Sequence, residues 1–115
     1  MAWIITDAGF FSIVEKTEDR NRGTLTVRAR VREDLVNLRE RYLPSLGDIT
    51  FSQHTDYPYR AIAERCDVAE AMANAVAGIR YDNFKNAAAK AQGKNRARVY
   101  EMVWRDLTRL EMIQS

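Results

Sequence analysis

Thr24-Leu25-Thr26-Val27-Arg28-Ala29-Arg30-Val31-Arg32 alternates without a break. In an extended chain Leu25, Val27, Ala29 and Val31 point to one side, and Thr26, Arg28, Arg30 and Arg32 to the other. A period of two held over nine residues marks a half-buried strand, and no other stretch of the chain carries so clear a signal. The pattern predicts the four apolar side chains in the core and the three arginines at least partly exposed. Register is strongly specified, because a slip of one residue would exchange the two faces.

Toward the N-terminus, Thr17 to Gly23 has no apolar residue and ends in glycine, which predicts an exposed loop. Before it, Trp3-Ile4-Ile5-Thr6 and Phe10-Phe11-Ser12-Ile13-Val14 flank Asp7-Ala8-Gly9 and read as a β-hairpin. Beyond the alternating stretch the spacing turns helical, with Leu35, Leu38 and Tyr42 on one face between Glu33 and Tyr42. Pro44 and Gly47 end that helix. Ile49 to Ser52 reads as a short strand or the approach to one. Tyr57 to Glu64 reads as extended, with Pro58 holding Tyr57 out of the α region.

Asp67 is the expected N-cap of an alanine-rich helix from Val68 to Ile79, with Glu70 completing a capping box. Its stripe is Val68, Met72, Val76 and Ile79. A further helix opens at Tyr81 or Asp82 and runs to about Ala91, with Asn83 or Asp82 as cap and Phe84 as a core plug. Gly93 interrupts it, and Asn95 caps a last helix running to about Met112. Val99, Val103, Leu107 and Leu110 form its stripe, widened by Tyr100, Met102 and Trp104. Val103 and Leu107 are expected in the core, with Trp104 beside the stripe.

Val27-Arg28-Ala29 leads into a helix through Arg32-Glu33-Asp34, and Tyr59-Arg60-Ala61 does so through Glu64-Arg65-Cys66-Asp67. The two strand-then-helix units beside a hairpin predict an α+β fold. The expected architecture is a three- or four-stranded antiparallel sheet with three to four helices packed on one face. One domain spanning 1–115 is expected for a chain of 115 residues.

Apolar residues at 46% and charged residues at 30% exclude wholesale disorder. No apolar run is long enough to cross a bilayer, and the opening Met-Ala-Trp-Ile-Ile lacks the basic start and length of a signal peptide. With one cysteine, Cys66, no intrachain disulfide forms, and a cytoplasmic location is expected. With one histidine, His54, zinc sites built from several Cys or His ligands are excluded. There is no GxGxxG, Walker-type loop, GxSxG or HExxH, and the five glycines are scattered. No cofactor, metal or catalytic residue is expected. Cys66 and His54 lack an orienting partner or oxyanion hole in the sequence, and Glu18-Asp19 and Glu33-Asp34 suit a solvated loop and a helix start.

Charge divides unevenly. Residues 1–82 carry 11 basic and 13 acidic side chains, and residues 83–115 carry 7 and 3. The segment 85–98 holds Lys85, Lys90, Lys94, Arg96 and Arg98 without an acid, either as a solvated helix face or as an anion-attracting surface. Arg28, Arg30 and Arg32 stand about 7 Å apart on one strand face. They either track phosphates or pair with acids such as Glu15 and Glu64 on neighbouring strands. The phosphate-binding candidates are therefore Arg28, Arg30, Arg32, Lys90, Lys94, Arg96 and Arg98. In His54-Thr55-Asp56-Tyr57-Pro58-Tyr59-Arg60, Tyr57, Tyr59 and Arg60 are the protein-interface candidates, being of the types that dominate hot spots.

The opening Trp-Ile with Gly9-Phe10, Val27-Arg28-Ala29-Arg30, Asp56-Tyr57-Pro58-Tyr59-Arg60 and Tyr81-Asp82-Asn83-Phe84-Lys85 resemble a group of short uncharacterised bacterial and bacteriophage proteins. The likeness runs through most of the chain to Trp104. It implies a bacterial, phage or mobile-element setting and carries over no catalytic residues. The expected function is that of a small non-enzymatic binding module acting on another macromolecule, a protein first, for which a phage-type inhibitor of a host system is one form. The alternative is a nucleic-acid binder using segment 85–98 and the Arg28/Arg30/Arg32 row. No membrane partner is expected.

Overall fold

The computed structural model describes residues 1–113. In chain order they form β1 (Ala2–Thr6), β2 (Gly9–Val14), β3 (Thr24–Ala29), α1 (Arg32–Arg41), β4 (Thr50–Phe51), β5 (Tyr59–Glu64), α2 (Arg65–Ala77), α3 (Phe84–Gln92) and α4 (Lys94–Leu107). Short 3-10 turns cover Thr17–Asp19 and Thr108–Met112. The chain divides into two compact units, Met1–Ile79 and Arg80–Ser115. Among the described residues, no helix is long and apolar enough to cross a membrane.

The first unit is α+β. Its sheet has five strands in the order β1-β2-β3-β5-β4, all paired antiparallel, rather than the three or four expected. The additional edge strand is the two-residue β4, whose Thr50 and Phe51 lie opposite Arg60 and Tyr59. Asp7 and Ala8 turn the first hairpin, with Thr6 Oγ1 accepting the Ala8 N–H at 3.0 Å. The two strand-helix units lie side by side, because β3 and β5 pair with Val27 opposite Ala61 and Arg28 opposite Arg60.

Phe11, Ile13, Val27, Ala29, Ala61 and Ala63 make the inner face of the sheet. Leu35 and Leu38 of α1 and Val68 and Ala71 of α2 pack on that same face. Each buried Leu or Val there stabilises the fold by about 1.5–3 kcal/mol relative to an exposed one. Val27 and Ala29 are buried as the alternation requires, and Leu25 is half-buried. Val31 is exposed, against expectation, because extended pairing stops at Ala29 and Val31 becomes the N-cap of α1.

Three further expectations are corrected by tertiary contacts. The loop from Thr17 to Gly23 is not wholly exposed, since Asp19 is buried within it. α2 begins at Arg65 rather than after Asp67, because the Arg65 N–H bonds to Gly23 O at 2.8 Å as soon as β5 ends. Asp67 therefore sits in the first helical turn, where its charge suits the helix dipole and its Oδ2 accepts the Ser45 hydroxyl at 2.8 Å. The predicted α2 stripe holds only in its first half, for Val68 is buried and Val76 and Ile79 are exposed.

The second unit is a helical hairpin. Asn83 caps α3, its Oδ1 accepting the Asn86 N–H at 3.0 Å. Gly93 breaks the two helices at a φ of 95°, a conformation open to glycine at little cost. Ala88, Ala97 and Tyr100 are its buried residues, and the Phe84 and Tyr100 rings lie 5.4 Å apart. Val103 is half-buried and Leu107 is 55% exposed, so the expectation of both in a core is overturned. The smaller Ala97 and the longer Tyr100 allow α3 to close on the adjacent side of α4 instead.

Candidate functional site

The face of the sheet opposite the helices is not bare. Ser12, Arg28, Arg60 and Thr50 lie in one row across β2, β3, β5 and β4. The loop between β4 and β5 folds back there, closed by the Ser52 N–H on Pro58 O at 2.7 Å. His54, at φ 66°, takes the left-handed conformation that turns the loop, at a cost of about 1–2 kcal/mol for a residue with a Cβ. The loop lays Tyr57 against the sheet, 1% exposed.

Three arginines gather on Tyr57. The Arg28 and Arg30 guanidinium carbons lie 4.7 and 4.9 Å from the ring centroid, and Arg60 Nε donates to the Tyr57 carbonyl at 3.1 Å. Phe10 packs edge-on against Tyr57, and Trp3 edge-on against Phe10. Arg28 is only 8% exposed, which corrects the expectation of an open arginine row. Its Nη2 donates to Ser12 Oγ at 2.8 Å, while its Nε is buried without an acceptor. The ring face of Tyr57 offsets that loss, a cation–π contact contributing about 0.5–2 kcal/mol. Of the two anticipated acid partners, Glu15 pairs with Arg20 and Arg65, and Glu64 lies opposite Thr24 at the far end of β3. Arg32, exposed at the start of α1, has left the row altogether.

Of the interface candidates, Tyr57 is thus buried, with the guanidinium groups of Arg28 and Arg30 at its ring. Tyr59 is half-buried beside the exposed Phe51, their rings 5.3 Å apart. Arg60 lines a shallow depression of about 360 Å³ together with Lys16, Glu18 and Asp48, a surface of mixed charge. Cys66 is exposed at the start of α2 and His54 lies in the β4–β5 loop.

Asp19 is a buried acid that its polar sequence surroundings conceal. It accepts the Lys16 N–H at 2.8 Å and the hydroxyls of Thr24 and Thr26 at 2.6 and 2.8 Å. Burial opposes ionisation of its carboxyl. The Thr24, Lys16 and Thr26 hydrogen bonds, with the charge of Arg22, outweigh that and hold its pKa below the ordinary 3.8. Its role is to clamp the loop to β3.

The helical hairpin disperses the basic candidates. Lys90 is exposed near the end of α3, and Lys94 opens α4. Arg96 and Arg98, two positions apart on a helix, project about 200° from one another. Arg96 turns onto the Tyr100 ring, its guanidinium carbon 5.6 Å from the centroid, while Arg98 is exposed.

Two other features of α4 stand out. Val99, Met102, Leu107 and, in the following turn, Leu110 are each more than half exposed. Phe84, Tyr100 and Trp104 wall a cleft of about 520 Å³ also lined by Asp82, Lys85 and Glu101. Lys85 Nζ lies 3.7 Å from one Glu101 oxygen and Arg105 3.6 Å from the other. Trp104 is 67% exposed. The i, i+4 spacing of Tyr100 and Trp104 was the available sign of this cleft, but it also fits a widened core stripe. No protein-family model matches the chain, and no similar curated protein or solved structure was found.

Proposed function

We propose that this chain is a small non-enzymatic binding module that acts on another protein through the apolar side of α4. The observation that supports this reading is the set Val99, Met102, Leu107 and Leu110, each more than half exposed on a segment otherwise rich in charge. Val99, Val103 and Leu107 recur every four residues, so they align along one side of the helix. Such a stripe is the form in which a helix enters an apolar groove or lies against another helix. Covering one of these side chains fully gains about 1.5–3 kcal/mol. The dispersal of Arg96 and Arg98 weighs against a basic strip that tracks phosphates. A cytoplasmic setting in a bacterium or phage, with inhibition of a host system as one form of action, belongs to the same proposal.

The test is in-cell crosslinking of the full chain, with the captured partner purified and titrated against wild type and Val99→Lys/Leu107→Lys. The expected result is a defined protein complex that the double variant loses while its thermal melt is retained. A salt-sensitive complex with DNA or RNA, abolished by Gln at Lys90, Lys94, Arg96 and Arg98, would overturn the reading.

A further inference from the structure

We infer that the cleft walled by Phe84, Tyr100 and Trp104 receives an arginine side chain from the partner; this rests on the reading of the chain as a protein-binding module. The cleft is open to solvent on the Trp104 side, and its volume of about 520 Å³ leaves room for a planar side-chain group. Aromatic walls alone would suit any flat or apolar group. The acids lining the cleft narrow the choice.

Asp82 and Glu101 place two carboxylates there, although residues 80–115 carry eight basic side chains against four acidic ones. Lys85, the cation that also lines the cleft, is held on Glu101 at 3.7 Å, and Arg105 takes the other Glu101 oxygen. Asp82 is exposed and has no hydrogen-bond or ion-pair partner among the described residues. An anionic ligand would meet its repulsion. A neutral apolar ligand would strip its water and return no hydrogen bond. A guanidinium answers both demands, stacking on aromatic faces and pairing a carboxylate through two parallel N–H donors. The Tyr100 ring already carries the guanidinium of Arg96, so its compatibility with that group is visible within the molecule.

The probe is Nα-acetyl-argininamide, titrated into the full chain while the indole N–H resonances of Trp3 and Trp104 are followed by NMR. The expected result is a saturating shift at Trp104 alone. Nα-acetyl-citrullinamide, of similar shape and uncharged, should leave it unmoved. Asp82→Asn should weaken binding about fivefold, the scale of one partly exposed charge pair, and Trp104→Leu should abolish it, as read from the Asn83 and Lys85 amides. Equal shifts with the citrulline analogue, or at Trp3, would overturn the inference. Tighter binding of spermidine than of argininamide would assign the cleft to free small cations and also overturn it. Argininamide binding without any captured protein would count against the protein-binding reading alone. Capture that needs Leu107 but no argininamide binding would count against the cleft alone.

Discussion

A Cβ atom on Gly9 would lie 2.5 Å from the carboxyl carbon of Asp34. The same Asp34, buried in the first turn of α1, accepts the Phe10 N–H through Oδ2 at 3.0 Å. The hairpin and the helix are thus joined where the backbone is bare. Gly9→Ala should destabilise the fold by about 1–3 kcal/mol through overpacking. Asp34→Ala should cost about 1–3 kcal/mol by orphaning the part-buried Phe10 N–H. Because each change relieves part of the other, urea melts of the double variant should show a loss smaller than the sum.

Tyr57→Ala should cost about 3–5 kcal/mol, since it empties a buried aromatic site and leaves Arg28 without the ring it stacks on. Reading Tyr57 as an exposed anchor would have left the fold intact after the same change. Thermal melting separates the two outcomes, and an unchanged midpoint would show that the contacts of Tyr57 with Arg28 and Arg30 do not hold the loop.

Asp19 sets an acid limb to stability. Its folded pKa lies below the ordinary 3.8, so its ionised form contributes stability at pH values above 3.8. That contribution fades as pH falls from the unfolded value through the lower folded one. Asp19→Asn should be less stable than wild type at pH 7, and the gap should narrow below about pH 4. A gap that stays constant with pH would show that Asp19 acts by shape rather than by charge.

In the helical hairpin, Tyr100→Ala should lower the thermal midpoint of the second unit, at about 3 kcal/mol or more for a buried aromatic. Leu107→Ala should change stability by no more than about 0.5 kcal/mol, as for other exposed positions. The ordering of these two variants by circular dichroism checks which side of α4 is packed.

Local periodicity explains which parts of the fold were legible. The alternation through Leu25, Val27 and Ala29, the hairpin around Asp7-Ala8 and the helical spacing of Leu35 and Leu38 depend on neighbours in the chain, and all three appear as read. Features that depend on how the chain turns back on itself, or on distant partners, did not. Nothing near Asp19 announces that Thr24 and Thr26 will turn their hydroxyls onto it. The early start of α2 depends on Gly23, more than forty residues away. The segment around Tyr57 and Arg60 carries residue types that suit an interface. Its aromatic ring, however, satisfies the protein's own arginines, a purpose that only the β3–β5 pairing reveals. The stripe Val99, Val103, Leu107 and Leu110 is expected to face the core, but Ala97 and Tyr100 form the buried side of α4, because the choice between core and surface rests on how α3 packs.

The β3–β5 ladder also bears on the order of assembly. The β1, β2 and β3 meander closes short loops, whereas Ala29 and Tyr59 meet across a separation of about thirty residues and Thr24 and Glu64 across about forty. Long closures lose the most chain entropy before they gain contacts, which places β5 late along the folding route. Tyr57 rides just ahead of β5, so its contacts with Arg28 and Arg30 complete only when that strand arrives. Tyr57→Leu should therefore speed unfolding and leave the refolding rate nearly unchanged, while Ile13→Val in the meander should slow refolding. On that route Tyr57 acts as a closing latch, whose strength should set the lifetime of the native state more than the speed of reaching it.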